Sequence, residues 1–490
     1  MILAAIYFAS LLLLCLYGAH RCLLVWLYFR HADRQPVARD RFATPPRVLV
    51  QLPMYNERFV AERLIAAVAA LRWPRERLEI QVLDDSTDDT GAIAQAAVDR
   101  WRAQGVPIVR LHRRDRHGFK AGALQAGLAR TDAELIAIFD ADFVPDPDFL
   151  LRTVDFFTDS AVGMVQVRWG HLNRRFSLLT RAEAAYLDGH FLLESCARFR
   201  SGRLFNFNGT AGVWRRTAIE DAGGWQHDTL TEDLDLSYRA QLRGWRFLFV
   251  RDPVCPGELP VEMNGFKTQQ HRWAKGGVQT ARKLLPAILR SKLPLALKVE
   301  AFFHLTNNLA ALLFLAVAFC RPARLSEWRG LAYLLRVDVP VLLLATASTC
   351  TFYLLAQREA GVSRRERLLL LPVLIATGVG VSLNNARAVV EGLFGPAGNF
   401  VRTPKYAVTG GESKFRQLRT YHRSAAVWTV AEVLCAVWFA ALVVHTAEHA
   451  DWLAMVFYAL LAWGFGYVAT LSLLQSRGAA PPLPAPAPAA

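Results

Sequence analysis

RVLVQLPMYNE (47–57), LEIQVLDDSTDDT (78–90), VPIVRLH (106–112) and ELIAIFDAD (134–142) belong to one stretch of chain, and its rhythm decides the fold. Each opens as a short apolar run rich in Val, Ile and Leu, and each run stops at Pro, Asp or His. Between the runs lie helical patterns at Arg58–Leu71, at TGAIAQAAVDRWRAQG (90–105) and at Lys120–Ala129. Strands that alternate with helices predict an α/β domain with a mostly parallel sheet and helices on its faces. In such sheets ligands bind beyond the carboxyl ends of the strands, so the residues after each run are the ones to inspect.

Working outward, the first strand end offers Pro53 to Glu57, and the second offers Asp84, Asp85, Asp88 and Asp89. Ser86 or Asp88 suffices to cap the next helix, but capping leaves a cluster of carboxylates unexplained. An adjacent Asp pair at a strand end suits a ribose, a base edge or a metal. The loop Arg113–Gly122 is basic and runs into a helix start. Free amides and the helix dipole favour an anion there, and Lys120 is placed to contact phosphate. Asp140-Ala141-Asp142 closes the fourth run. In extended backbone, residues i and i+2 point to one side, so both carboxylates are expected to reach one cation. Two hard oxygen donors suit Mg²⁺ or Mn²⁺.

Two further motifs lie downstream. Thr231-Glu232-Asp233 opens the helical stretch LDLSYRAQLRG. Acids at a helix start are ordinary capping; a carboxylate beside a diphosphate is also a candidate base for a sugar hydroxyl. The sequence leaves both readings open. Gln269, Arg272 and Trp273 stand at i, i+3 and i+4, on one helix face. Trp offers a platform for a sugar ring and Arg a fork for phosphate oxygens.

The flanks of this domain are of a different character. Hydrophobic residues make up 53% of the 490 and charged residues 20%, which excludes a disordered chain. Residues 1–30 carry no charge before His20, are too long for a signal peptide and lack its basic start, so a membrane span is expected there. Arg30, Arg34, Arg39, Arg41 and Arg47 follow it, which places the next domain in the cytoplasm. Further spans are expected at Leu305–Cys320, Val339–Ala356, Ala426–His445 and Trp452–Leu474. Leu368–Phe394 begins as a span but continues with Asn384, Asn385, Arg387 and Glu391, and is expected to lie in the interface or to re-enter. The net charge of +15 suits an anionic membrane face or phosphorylated substrates. Nucleic-acid binding is not expected, because the basic residues are not interleaved with aromatics. The seven Cys form no C-x-x-C pair, so no zinc site or disulfide framework is indicated.

Taken together, VQLPMYNE, IQVLDDSTD, GFKAGAL, AIFDADF, FNFNGTAGVWR, EDLDLSYRA and QQHRW resemble the processive family-2 glycosyltransferases of the cellulose synthase superfamily. The likeness is greatest to the cellulose-synthase-like mannan and glucan synthases. It implies a GT-A fold, a Rossmann-like mixed sheet, joined to an α-helical transmembrane bundle. The resulting plan is a span at 1–30, the cytoplasmic domain at 45–265 and interfacial helices at 266–298. A transmembrane channel region follows at 299–475, then a disordered Pro/Ala tail at 476–490. With about 15 residues after the last span, no PilZ-like regulatory extension is expected. The segment Phe400-Val401-Arg402-Thr403-Pro404-Lys405 resembles the F-x-V-T-x-K gating loop of cellulose synthases, with Arg402 in place of Val.

The resemblance also implies roles. Asp233 is the general base. Glu57, Asp84, Asp85, Lys120, Asp140, Gln269, Arg272, Trp273, Thr403 and Lys405 bind the nucleotide sugar. Asn208, Gly209, Thr210, Glu232 and Trp273 lie near the acceptor, and Asp140 and Asp142 hold Mg²⁺ or Mn²⁺. The implied activity is inverting transfer of a hexose from GDP-mannose or UDP-glucose to a growing β-linked glycan that leaves through the bilayer. The alternative is a non-processive enzyme acting on a lipid, similar to ceramide glucosyltransferases. A more distant rival is a transporter whose cytoplasmic domain only binds nucleotide.

Overall fold

Alternate residues of the first strand enter opposite cores. Val48, Val50 and Leu52 pack on one face of the sheet with Ile80 and Val82, while Leu49 packs on the other with Leu83, Ile136 and Ile138. Both faces are therefore covered, which is why these strands read as continuous apolar runs. The computed structural model describes residues 2–321, 339–396, 398, 401–409 and 426–476. Phe400, the segments 322–338 and 410–425, and the tail from 477 lie outside the described residues.

The strands are β1 (Val48–Met54), β2 (Leu78–Asp84), β3 (Ile108–His112), β4 (Leu135–Ile138), β5 (Val162–His171), β6 (Gly212–Arg215) and β7 (Arg246–Gly257). They form one seven-stranded sheet in the order β3-β2-β1-β4-β6-β5-β7. β1 is parallel to β2 and β4, and β6 is antiparallel to β4 and β5. Chain order reverses between β1 and β4, so their carboxyl ends flank a natural crevice. The helices Ala61–Ala69, Thr90–Ala103 and Phe119–Leu128 connect these strands near their expected positions.

One expectation about local geometry is corrected. β4 stops at Ile138, and Asp140 to Asp142 lie in a turn closed by Phe143 N donating to Asp140 O at 3.0 Å. Both residues line one cleft, and a turn, not the alternation of a strand, places them there. β1 also ends nearby, and Phe139 N makes the last backbone contact to it, at Gln51 O.

Among the described residues, four helices are long and apolar enough to cross a bilayer: Ile2–Arg30, Arg364–Phe394, Val427–Glu448 and Trp452–Gln475. The expected span Leu305–Cys320 is instead part of a pair, Leu295–Thr306 and Leu309–Cys320, bent by 64° at Asn307 and Asn308. The segment expected to lie in the interface or re-enter is one unbroken helix of 31 residues, about 46 Å long. Its polar half docks on the helix Met263–Arg290. Asn384 Nδ2 donates to Lys267 O at 3.0 Å, and Arg282 donates to Gly392 O at 3.0 Å. Glu391 meets His271 and Lys275 on the same helix, and Arg387 lies over Trp428, so the polar residues of this apolar helix face protein.

Candidate active site

A single cleft lies beyond the carboxyl ends of β1, β2 and β4. Glu57, Asp85, Lys120, Asp140, Asp142, Asn208, Gly209, Glu232, Asp233, Gln269, Arg272, Trp273, Thr403 and Lys405 all line it. They come from sequence positions hundreds of residues apart, and the strand-end rule alone brings the first five to one place.

Asp85 is fixed first. Arg113 grips it with two bonds, Nε to Oδ1 at 2.8 Å and Nη2 to Oδ2 at 2.5 Å. Beside it, the Arg116 guanidinium lies 3.3 Å from the centre of the Tyr55 ring, a cation–π contact that makes a flat wall. Lys120 lies in the first turn of the helix Phe119–Leu128 and donates to Asp140 Oδ1 at 2.5 Å and to Gly209 O at 2.8 Å. Burial opposes its charge, yet its pKa is raised, because Asp140, Glu232 and Asp233 surround it. Gly209 has φ of +81°, and a Cβ there would sit 3.0 Å from Asp233 Oδ2 and 3.4 Å from Lys120 Nζ. Only a bare backbone fits between these two side chains.

Glu232 and Asp233 open the helix Glu232–Leu242. Thr231 stands at the N-cap position, but its hydroxyl pairs with Thr280 at 3.1 Å instead of capping. Asp233 Oδ1 accepts from Leu234 N at 2.8 Å. Burial, then the neighbouring Glu232 carboxylate, push Asp233 up to about 7, against the pull of Lys120. Glu232 is also raised, chiefly by burial. The helix Met263–Arg290 comes close enough to present Gln269, Arg272 and Trp273 because Gly276 lies against Thr231: a Cβ there would meet Thr231 Cγ2 at 2.6 Å.

Residues 401–406 close one side. Arg402 pairs with Glu57 at 2.9 Å, Lys405 pairs with Asp142 at 2.8 Å, and Arg272 donates to Val401 O at 3.3 Å. Glu258, just after β7, anchors the segment: its carbonyl accepts from Lys405 at 2.5 Å and its carboxylate from Tyr406 N at 2.8 Å. Burial pushes Glu57 up to about 8, with Arg402 opposing. The Thr403 hydroxyl is buried with no partner among the described residues.

The donor set fits a hard divalent ion. Asp140 and Asp142 line the cleft together, and each gives one oxygen to a lysine, Oδ1 of Asp140 to Lys120 and Oδ2 of Asp142 to Lys405. Oxygen-only donors of this kind match Mg²⁺ or Mn²⁺.

Residues 45–276 match the family model described as "Glycosyltransferase like family 2". This segment is a family-2 glycosyltransferase domain. Glucomannan 4-beta-mannosyltransferase 2 of Arabidopsis thaliana is 42% identical over 297 residues, covering 58% of this chain and 56% of that protein. Glucomannan 4-beta-mannosyltransferase 1 of Oryza sativa subsp. japonica is 45% identical over 252 residues, covering 50% and 48%. The chain spans about half the length of the curated relatives it matches. Among solved structures, the mannosyltransferase PcManGT of Pyrobaculum calidifontis, in complex with GDP-Man and Mn²⁺, superposes with a TM-score of 0.57 at 22% identity. That match covers 80% of this chain and 99% of the other, and shows the shared GT-A fold.

Two expected site residues of the glycosyltransferase domain do not reach the cleft. Asp84 is fully buried, with Oδ1 accepting from Ser86 N at 2.9 Å and Oδ2 from Arg110 at 2.8 Å. Both of its oxygens are engaged in the turn after β2, and it does not line the cleft. Thr210 is also fully buried, and its hydroxyl accepts from Asp140 N at 2.9 Å, so it positions the metal-type carboxylate and does not face an acceptor. Conversely, the run Arg113–Arg116 reads in sequence as a loop for phosphate, whereas Arg113 is committed to Asp85 and Arg116 to Tyr55. Glu258 is a site residue that no sequence motif marks; its place directly after the long strand β7 is the one local signal.

Proposed function

We propose that the chain transfers a mannosyl unit from GDP-mannose to the hydroxyl of a growing β-linked glycan, with inversion at the anomeric carbon. The observation that carries this reading is the placement of Asp233 in a cleft lined also by Lys120, Asp140, Asp142 and Arg272. The names of the relatives support mannose, and the fold neighbour solved with GDP-Man supports the nucleotide.

Asp233 takes the proton from the acceptor hydroxyl, and that oxygen attacks the anomeric carbon as the bond to the diphosphate breaks. An α-linked donor thus yields a β-linked product, and no covalent enzyme intermediate forms. Lys120, Arg272 and Lys405 stabilise charge that grows on the departing diphosphate. A Mg²⁺ or Mn²⁺ ion held by Asp140 and Asp142 would add to that stabilisation. Asp85, between Arg113 and the Tyr55–Arg116 wall, holds the nucleoside end. Gln269 supports the diphosphate, Trp273 and Asn208 face the acceptor, and Thr403 offers its unspent hydroxyl to the donor phosphates.

The arginines after the first helix support a cytoplasmic catalytic domain, and the bundle of apolar helices supports release of product across the bilayer. Purified protein supplied with labelled donors tests the whole reading. GDP-mannose turnover exceeding that of UDP-glucose by about tenfold or more is expected, which is ~1.4 kcal/mol of discrimination. The product is expected to be a polymer cut by β-mannanase. A single sugar on lipid would favour the non-processive alternative.

Arg402 supplies a sharper check on the donor-closing segment. Arg402→Ala removes the pair with Glu57 and is expected to raise the donor KM about tenfold, the value of one charged hydrogen bond. Glu57→Gln keeps an acceptor oxygen and should raise it less. Initial rates against donor concentration measure both.

A further inference from the structure

A second cluster of chemistry-bearing side chains lies far from the cleft. In HTAEHAD (445–451), His445, Glu448 and His449 stand at i, i+3 and i+4 at the end of the helix Ala426–Glu448. That spacing puts all three on one face. Each offers a ligand atom, these atoms lie within 4.8 Å of one another, and all three residues are exposed. The two imidazole rings are 4.4 Å apart.

The tautomer of one ring is fixed by its partner. His449 Nδ1 lies 2.8 Å from the His445 carbonyl oxygen. A carbonyl only accepts, so Nδ1 carries the hydrogen and Nε2 keeps a free lone pair. This is how metal-binding imidazoles are held in orientation by their second nitrogen. The backbone is fixed as well. Ala450 adopts φ of +53°, and Asp451 N donates to Thr446 O at 2.9 Å, so the chain turns tightly just after His449.

The location is the end of the bundle remote from catalysis. Glu432, earlier in the same helix, pairs with Lys267 at 2.9 Å on the helix that carries Gln269, Arg272 and Trp273. His445 lies about 20 Å further along the axis.

We propose that His445, Glu448 and His449 bind one transition-metal ion of the Zn²⁺, Ni²⁺ or Cu²⁺ class, with water completing its coordination. Two nitrogen donors and one carboxylate favour such ions over Mg²⁺, whereas the oxygen-only pair in the cleft has the opposite preference. Ligation would tie the last helical turn to the connection leading into Trp452–Ser476, and so brace the pairing of these two helices.

The test uses full-length protein without a polyhistidine tag, stripped with chelator and held in excess Mg²⁺ to occupy oxygen sites. Calorimetric titration with Zn²⁺ is expected to give one site per chain, lost in the His445→Ala/His449→Ala double variant and weakened in Glu448→Gln. Retained sugar transfer would confirm that the variants fold. With one equivalent of Cu²⁺, the wild-type electron paramagnetic resonance spectrum is expected to show coupling to two nitrogens. Absence of that coupling, or unchanged Zn²⁺ binding in the double variant, overturns the proposal.

Discussion

Asp233→Asn protein is expected to bind the nucleotide sugar normally and transfer almost none of it. The kcat should fall about a thousandfold, within the range lost when a positioned base is removed, while the donor KM stays near its wild-type value. The argument is geometric first. Asp233 opens the helix Glu232–Leu242, lines the cleft and lies across the Gly209 backbone from Lys120. Its proton affinity fits the task too. Burial and the Glu232 carboxylate push it up to about 7, so it accepts a proton readily near neutrality and still ionises there. The sign of the pH dependence follows. A base must be deprotonated to act, so wild-type kcat should rise with pH through about 7 and be lost as pH falls below it. Glu232→Gln removes a neighbouring negative charge and should move that limb to lower pH. A pH profile that is flat across this window in the wild type would contradict the assignment.

The strands and helices around Asp233 were legible because each answers to local physics. The runs at 78–84 and 47–53 are rich in Val, Ile and Leu, and both faces of the sheet they enter are covered. The expected helix at 90–105 is found at Thr90–Ala103. What escaped the sequence depends on partners distant in the chain. Asp84 and Asp85 are neighbours of one type at one strand end, yet only Asp85 reaches the cleft, because Arg110 and the Ser86 amide consume Asp84. Each acid meets an arginine, Arg110 at Asp84 and Arg113 at Asp85, and no local pattern tells which of the two also lines the cleft. Thr210 sits in a motif that surrounds the site, but its hydroxyl turns to the amide of Asp140. Arg402 was visible as a departure from the gating-loop pattern. Its function as a clasp became legible only when Glu57, 345 positions earlier, was found 2.9 Å away. The break at Asn307 and Asn308 is not marked in the sequence, because the residues on either side are apolar enough for a straight span.

Asp142→Ala is expected to have the second large effect, and for two separable reasons. The carboxylate belongs to the oxygen pair suited to a divalent ion, so its loss should cut turnover by about a hundredfold or more. It should also weaken Mn²⁺ binding, measured by titration in the presence of nucleoside diphosphate. Independently, Asp142 is the charge partner of Lys405, and both are largely buried. Removing one member of a buried pair leaves the other charge uncompensated, at a cost of about 3 kcal/mol. Lys405 would then keep only the Glu258 carbonyl, and the segment 401–406 should loosen from the cleft. Loss of activity in Asp142→Ala alone therefore does not separate a missing metal ligand from a displaced segment. The double variant Asp142→Ala/Lys405→Met does, because it removes the stranded charge together with its partner. Thermal unfolding and protease resistance of the segment should recover toward wild type in the double variant, while Mn²⁺ affinity and turnover stay low. If turnover recovered along with stability, the carboxylate would be a structural counter-ion for Lys405, and the turn at 140–142 would have no part in holding a metal.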